Sequence, residues 1–157
     1  DRKDDYLKMH FEDAAIFVPY GCMVDEFQHI VYANPDMTPQ DRKDAWAKLE
    51  KEYRPHLDYE DDPFFANGGY WQRQSHIFQS PFYYIDYVLA SICAMQYKVQ
   101  MDENFDAAWN NYLKLCKLSA KDFYVNVIRE AGLNSPFEDG CMKELVGKLE
   151  KKVKFDD

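Results

Sequence analysis

The chain has 157 residues, 46% of them apolar and 30% charged, enough to bury the core of one domain and too apolar for intrinsic disorder. Nineteen bases against 28 acids give a formal charge of −9, which repels phosphate backbones and anionic membranes, so neither nucleic acid nor membrane is expected as a partner. No apolar run reaches the roughly 18–20 residues of a membrane span and no signal-peptide layout is visible; Asp1 is not Met, so the chain is expected to begin inside a longer protein or after processing.

In chain order, helical periodicity dominates. Residues 4–32 read as one or two helices, with Pro19 and Gly21 marking a kink or join. Thr38-Pro39-Gln40-Asp41 is a helix start: Thr38 can cap, Pro39 suits the first turn, and Asp41 favours the positive end. That helix carries Trp46, Leu49 and Tyr53 on one side and should stop before Pro55. Residues 55–69 form the longest irregular stretch, acidic from Asp58 to Asp62 and ending in Gly68-Gly69, of a length that is usually functional or disordered. Pro81 is expected to open a long central helix through Tyr97. Phe105 to Lys117 and Lys121 to Ala131 follow as amphipathic helices, and Ser135-Pro136 leads to a last helix ending near Val153. No segment shows strand alternation with hairpin turns, so the fold class is all-α, read as a single helical domain over 1–157.

The charge is uneven. Residues 1–62 hold 16 acids and 8 bases, residues 63–157 hold 12 and 11, and the one basic cluster is Lys151, Lys152 and Lys154. Cys22, Cys93, Cys116 and Cys141 are far apart among apolar neighbours, without metal or redox spacing, and are expected to be buried free thiols in a reducing cytoplasm.

Three constellations could carry chemistry. Glu26 and His29 at i, i+3 can share a helix face and ligate a metal, but di-iron bundles use that spacing twice with two further glutamates, and here it occurs once. A polar helix face with a locally bonded histidine is the reading adopted; a carboxylate-metal site would need two such pairs facing one another across a homodimer. Glu52 and His56 are separated by Pro55, which disrupts their alignment, and are expected at a solvated loop edge. The third runs from Gly68-Gly69 through His76 to Tyr83, Tyr84 and Tyr87. Tyr84 and Tyr87, three apart, would share a helix face, and tyrosine and histidine at neutral pH are hydrogen-bond donors suited to a developing oxyanion. Against this, an aromatic run on a central helix is usually core. No His-Glu-x-x-His, phosphate-binding glycine motif, Gly-x-Ser-x-Gly or Cys/His cluster is present.

The same donor cluster carries a resemblance. Val24-Asp25-Glu26-Phe27-Gln28-His29-Ile30-Val31-Tyr32, then Trp46 with Leu49-Glu50 and Tyr53, then Gly68-Gly69-Tyr70-Trp71 and His76-Ile77-Phe78 through Pro81-Phe82-Tyr83-Tyr84-Ile85-Asp86-Tyr87, resemble the C-terminal part of oligoendopeptidase F. That family belongs with the thimet-oligopeptidase-like zinc metallopeptidases. The resemblance continues through Ala108-Trp109, Tyr112, Leu115-Cys116, Ala131-Gly132-Leu133 and Pro136-Phe137. It implies a mostly helical peptidase whose deep channel admits short peptides. Zinc would be held by His-Glu-x-x-His and a further glutamate, all upstream of Asp1 and absent here. His76, Tyr84 and Tyr87 would face the zinc and stabilise the oxyanion, Gly68 and Gly69 would lie near the substrate backbone, and Tyr83 would be a less central substrate neighbour. The full-length parent would then carry zinc and cleave short peptides, while this fragment would bind no catalytic zinc, cleave nothing, and self-associate through the surface exposed by truncation. The alternative is a non-enzymatic helical interaction module that lost the metal half.

Overall fold

The computed structural model of the protein describes residues 2–150. Among these residues every regular element is helical, and no helix is long and apolar enough to cross a membrane. The chain divides into two compact units, Asp1–Val88 and Leu89–Asp157.

The first unit is built on α1 (Arg2–Ala33) and α2 (Pro39–Tyr53), which pack together. The helix α1 runs unbroken through Pro19 and Gly21, so the join expected there is absent. Gly21 serves close packing instead: a Cβ on it would lie 2.2 Å from Cγ2 of Val88. Thr38 caps α2 as expected, with its hydroxyl accepting from the Asp41 N–H while the Asp41 carboxylate accepts from the Thr38 N–H. This hydrogen bonding holds the Asp41 carboxyl below its usual range. The helix ends at Tyr53, before Pro55.

Met23, Val24 and Phe27 of α1 meet Trp46 and Leu49 of α2 in a buried core that also takes in Trp71 and Ile77. Phe27 stands edge-on to Trp46 with ring centroids 5.1 Å apart and tilts against Trp71 at 5.3 Å. Such ring pairs add about 0.5–1.5 kcal/mol each beyond their burial.

The acidic stretch after α2 is ordered by its own carboxylates. Asp58 accepts from the Glu60 N–H, and Asp62 accepts from the Phe64 and Phe65 N–H groups, capping the short helix α3 (Pro63–Ala66). A 3₁₀ turn (Tyr70–Arg73) and α4 (Ser75–Gln79) follow.

The long helix, α5 (Ile85–Glu103), starts four residues later than Pro81 and runs past Tyr97. The delay has a specific cause: Phe82 sits at φ +63°, in the left-handed region, and its N–H donates to Oε1 of the buried Gln28 at 2.8 Å. A left-handed residue cannot belong to the helix that follows.

The second unit takes the rest of α5 with α6 (Phe105–Leu118), α7 (Tyr124–Glu130) and α8 (Cys141–Glu150). Asn104 caps α6 by accepting from the Ala107 N–H. The start expected at Lys121 moves to Tyr124 because Ala120 is left-handed, at φ +62°, and the Asp122 carboxylate takes the Phe123 N–H. The end expected near Val153, like the lysine cluster at 151–154, lies outside the described residues. Cys93, Tyr97, Ile128 and Leu133 form a buried cluster, with Met101, Leu115 and Tyr124 packed against it. All four cysteines are free thiols, but only Cys93 and Cys141 are buried; Cys22 is half-buried and Cys116 is exposed, contrary to the uniform burial expected.

Candidate active site

Three short pieces of the first unit bring the candidate residues together. The turn before α5 supplies Tyr83 and Tyr84, the first turn of α5 supplies Tyr87, and α4 supplies His76. Tyr84 therefore precedes the helix rather than riding on it, yet its ring and that of Tyr87 still meet at 5.6 Å, edge to face. The His76 ring lies 5.0 Å from Tyr84 and 5.7 Å from Tyr87, also edge-on. Tyr83 completes the group against Tyr87 at 5.3 Å.

Exposure separates the cluster from ordinary core. Tyr83 is 48% and Tyr87 41% exposed, whereas Tyr84 and His76 are half-buried. Half-burial pushes the Tyr84 phenol above its ordinary range, helped by Tyr87 and Tyr70. Tyr87 is raised too, by local desolvation first and then by the neighbouring Tyr83. Both phenols stay protonated at neutral pH and act as neutral donors.

Three supporting residues escaped the sequence reading. Gln74 holds His76, its amide nitrogen 2.6 Å from Nδ1, and its Oε1 accepts from the Tyr20 hydroxyl at 2.9 Å. Tyr20, on α1, packs edge-on to Tyr84, Tyr70 and Trp46. Gln28 is the third such residue, since its bond to Phe82 fixes the turn that presents the tyrosines. A glutamine carries no periodic signal, and each of these bonds joins residues 54 or two positions apart with no motif between them.

The diglycine packs against the chain's own backbone. Gly68 and Gly69 are buried. A Cβ on Gly68, which has φ +73°, would fall 2.0 Å from the Lys43 carbonyl oxygen of α2; one on Gly69 would fall 2.5 Å from the Phe64 carbonyl oxygen. The chain's own backbone fills the space that the missing side chains leave. These glycines press the loop onto α2 and α3 and so set where the 3₁₀ turn and Gln74 begin.

Glu26 and His29 are not brought together as a ligand pair. Glu26 accepts a hydrogen bond from the Tyr53 hydroxyl, while His29 faces Asp25 at 3.4 Å and stacks obliquely on Phe82. His56 is exposed at the loop edge. The groups around His76 are neutral donors, and among the described residues no three His, Cys, Asp or Glu side chains converge as a metal would require. The residues present do not fit a zinc centre, and what they can do is hold an oxygen that carries negative charge.

The fold and cluster define a helical unit that presents histidine and tyrosine donors from a rigid aromatic base. No family model matches the chain, and no curated protein does. Solved structures do match. A protein assigned as an oligoendopeptidase F is 46% identical over 98% of this chain, with a TM-score of 0.92. PZ peptidase A, solved with an inhibitor, is 48% identical over 95% of it at a TM-score of 0.90. A protein assigned as an oligoendopeptidase F from Bacillus anthracis is 38% identical over 95% at 0.76. By sequence and all-helical fold the chain is similar to these three peptidases along almost its whole length. It spans 27%, 26% and 23% of those three chains, about a quarter of each.

Proposed function

We propose that the chain is the substrate-facing part of a longer zinc-dependent oligoendopeptidase that hydrolyses short peptides in the cytoplasm. The observation that carries this reading is the convergence of His76, Tyr84 and Tyr87 within one partly exposed cluster of hydrogen-bonding side chains. In it, His76 and Tyr84 bind the scissile carbonyl oxygen and donate more strongly as that oxygen gains negative charge in the tetrahedral intermediate. Tyr87 adds a third donor, and Tyr83 offers an exposed ring to the peptide. Preorganisation is what makes such donors effective, and here the rings lock one another before substrate arrives.

Zinc and the water it activates belong, on this reading, to residues outside the 157, so the chain alone binds no catalytic zinc and cleaves nothing. The exposed apolar side chains Tyr6, Leu7, Met9 and Ile16 of α1 support a surface that packs on the remainder of the peptidase and self-associates without it.

The test is cleavage of a quenched-fluorescent short peptide, with zinc, by this chain and by the intact peptidase. The intact protein cleaves and the chain does not. In the intact protein Tyr84→Phe and His76→Ala each lower turnover by about 10²–10³, the usual cost of one oxyanion donor, with helical content unchanged. Undiminished turnover in both variants would overturn the assignment.

A further inference from the structure

A polar chain runs from the core of the first unit to the rim of the candidate site, from the Tyr20 hydroxyl to Gln74 and on to Nδ1 of His76. The atom placement gives its directions. The Tyr20 phenol is held protonated well above its ordinary range, by burial first and then by Tyr84 and Tyr70, so its hydroxyl keeps the proton it donates to Gln74. The Gln74 oxygen accepts from it at 2.9 Å, which turns the amide nitrogen toward His76. An amide nitrogen only donates, so Nδ1 at 2.6 Å accepts, and the ring proton of the neutral imidazole sits on Nε2.

The source of the chain is rigid. The Arg54 guanidinium lies over the Tyr20 ring at 5.0 Å, and Trp46 and Tyr70 stand edge-on to it. At the other end, the Tyr84 and Tyr87 rings flank the imidazole and oppose its rotation.

We infer that Gln74 is a positioning residue that, oriented by Tyr20, fixes His76 in the tautomer with Nδ1 as acceptor and Nε2–H as the free donor. The inference deepens the proposed function and rests on it for its catalytic meaning: a carbonyl oxygen needs a donor, and an Nδ1-protonated imidazole would offer Nε2 as a lone pair instead.

Long-range ¹H–¹⁵N NMR of histidine-labelled protein reads the tautomer directly. In the unsubstituted chain the His76 Nδ1 resonance is that of an unprotonated acceptor nitrogen and Nε2 that of a protonated one. Gln74→Glu places an acceptor-only carboxylate against Nδ1, so the two resonances exchange character. Tyr20→Phe leaves the amide free to turn either way, and both resonances move toward the averaged values of the exposed His56 in the same spectrum.

An Nδ1-protonated His76 in the unsubstituted chain, or a tautomer unchanged by Gln74→Glu, overturns the inference. In the intact peptidase Gln74→Glu lowers kcat by about 10², as loss of one donor does, with KM little changed. If the resonances exchange while kcat holds, the positioning by Gln74 stands and the donor role of His76 falls, so the two failures are told apart.

Discussion

The two units of the chain use their buried polar groups for different ends. In the second unit several of them close backbone. Gln96 exchanges two hydrogen bonds with the backbone of Asn134, Gln100 donates to the Gly132 carbonyl, and the Tyr97 hydroxyl reaches the carbonyls of Asn111 and Ala131. The bonds to Ala131, Gly132 and Asn134 tie down the turn after α7, while the bond to Asn111 reaches a carbonyl inside α6. In the first unit, Gln28 fixes a left-handed turn, and Tyr20 and Gln74 form a line that ends on a half-buried imidazole. The cores differ in the same sense. The first is a mesh of rings around Trp46 and Phe27, and the second packs Ile128 and Leu133 with Cys93 and Tyr97.

The largest effect that would sharpen this contrast comes from the ring mesh. Trp46 is fully buried, so Trp46→Ala should cost about 3–5 kcal/mol, against about 0.5–1.5 kcal/mol for Ile128→Val in the second unit. Denaturant unfolding measures both. Amide exchange after the Trp46 substitution should quicken within Asp1–Val88. A cost for Trp46→Ala no greater than that for Ile128→Val would mean that the rings do not hold the first unit.

The sequence makes one layer of this legible and hides another. The all-α class, the Thr38–Asp41 cap and the stop before Pro55 follow from local chemistry, because periodicity, capping and turn residues act over a few positions, whereas the grouping of His76 with the tyrosines is expected only through the family resemblance. The late start of α5 does not, because proline after serine is an ordinary helix opening. What prevents it is a bond from Phe82 to Gln28, 54 residues earlier. Gln74 and Tyr20 are hidden for the same reason. Likewise Pro19-Tyr20-Gly21 reads as a break, yet α1 passes through it, with Gly21 close against Val88.

Two left-handed glycines, one in each unit, give a test of intermediate size. Gly68 and Gly140 have φ +73° and +86°, but a Cβ at Gly140 would meet nothing within 4 Å, whereas one at Gly68 would strike the Lys43 carbonyl at 2.0 Å. Gly140→Ala should therefore cost only the left-handed strain, about 1–2 kcal/mol. Gly68→Ala should cost more, because backbone must move as well, and should displace the turn that leads to Gln74. The check is the difference between the two unfolding free energies, together with the His76 resonances. Equal costs would show that the loop yields easily and that the diglycine does not set the site.

The smallest effect concerns why tyrosines resist ionisation in each unit. Tyr97 in the second is pushed up to about 12 chiefly by burial. Tyr53 in the first is also pushed up to about 12, but its leading cause is the hydrogen bond its hydroxyl donates to the Glu26 carboxylate. A raised folded value means that the unfolded chain ionises first, near pH 10, so the stabilisation is fully present below pH 10 and is lost as pH climbs toward 12. Glu26→Gln removes the charged acceptor, so tyrosinate absorbance should show one phenol titrating nearer pH 10 and a gentler loss of stability above it. No substitution of a single carboxylate should do the same for Tyr97, because low exposure rather than a partner sets its value. If Glu26→Gln leaves the titration unmoved, burial governs both phenols, and this part of the contrast between the units disappears.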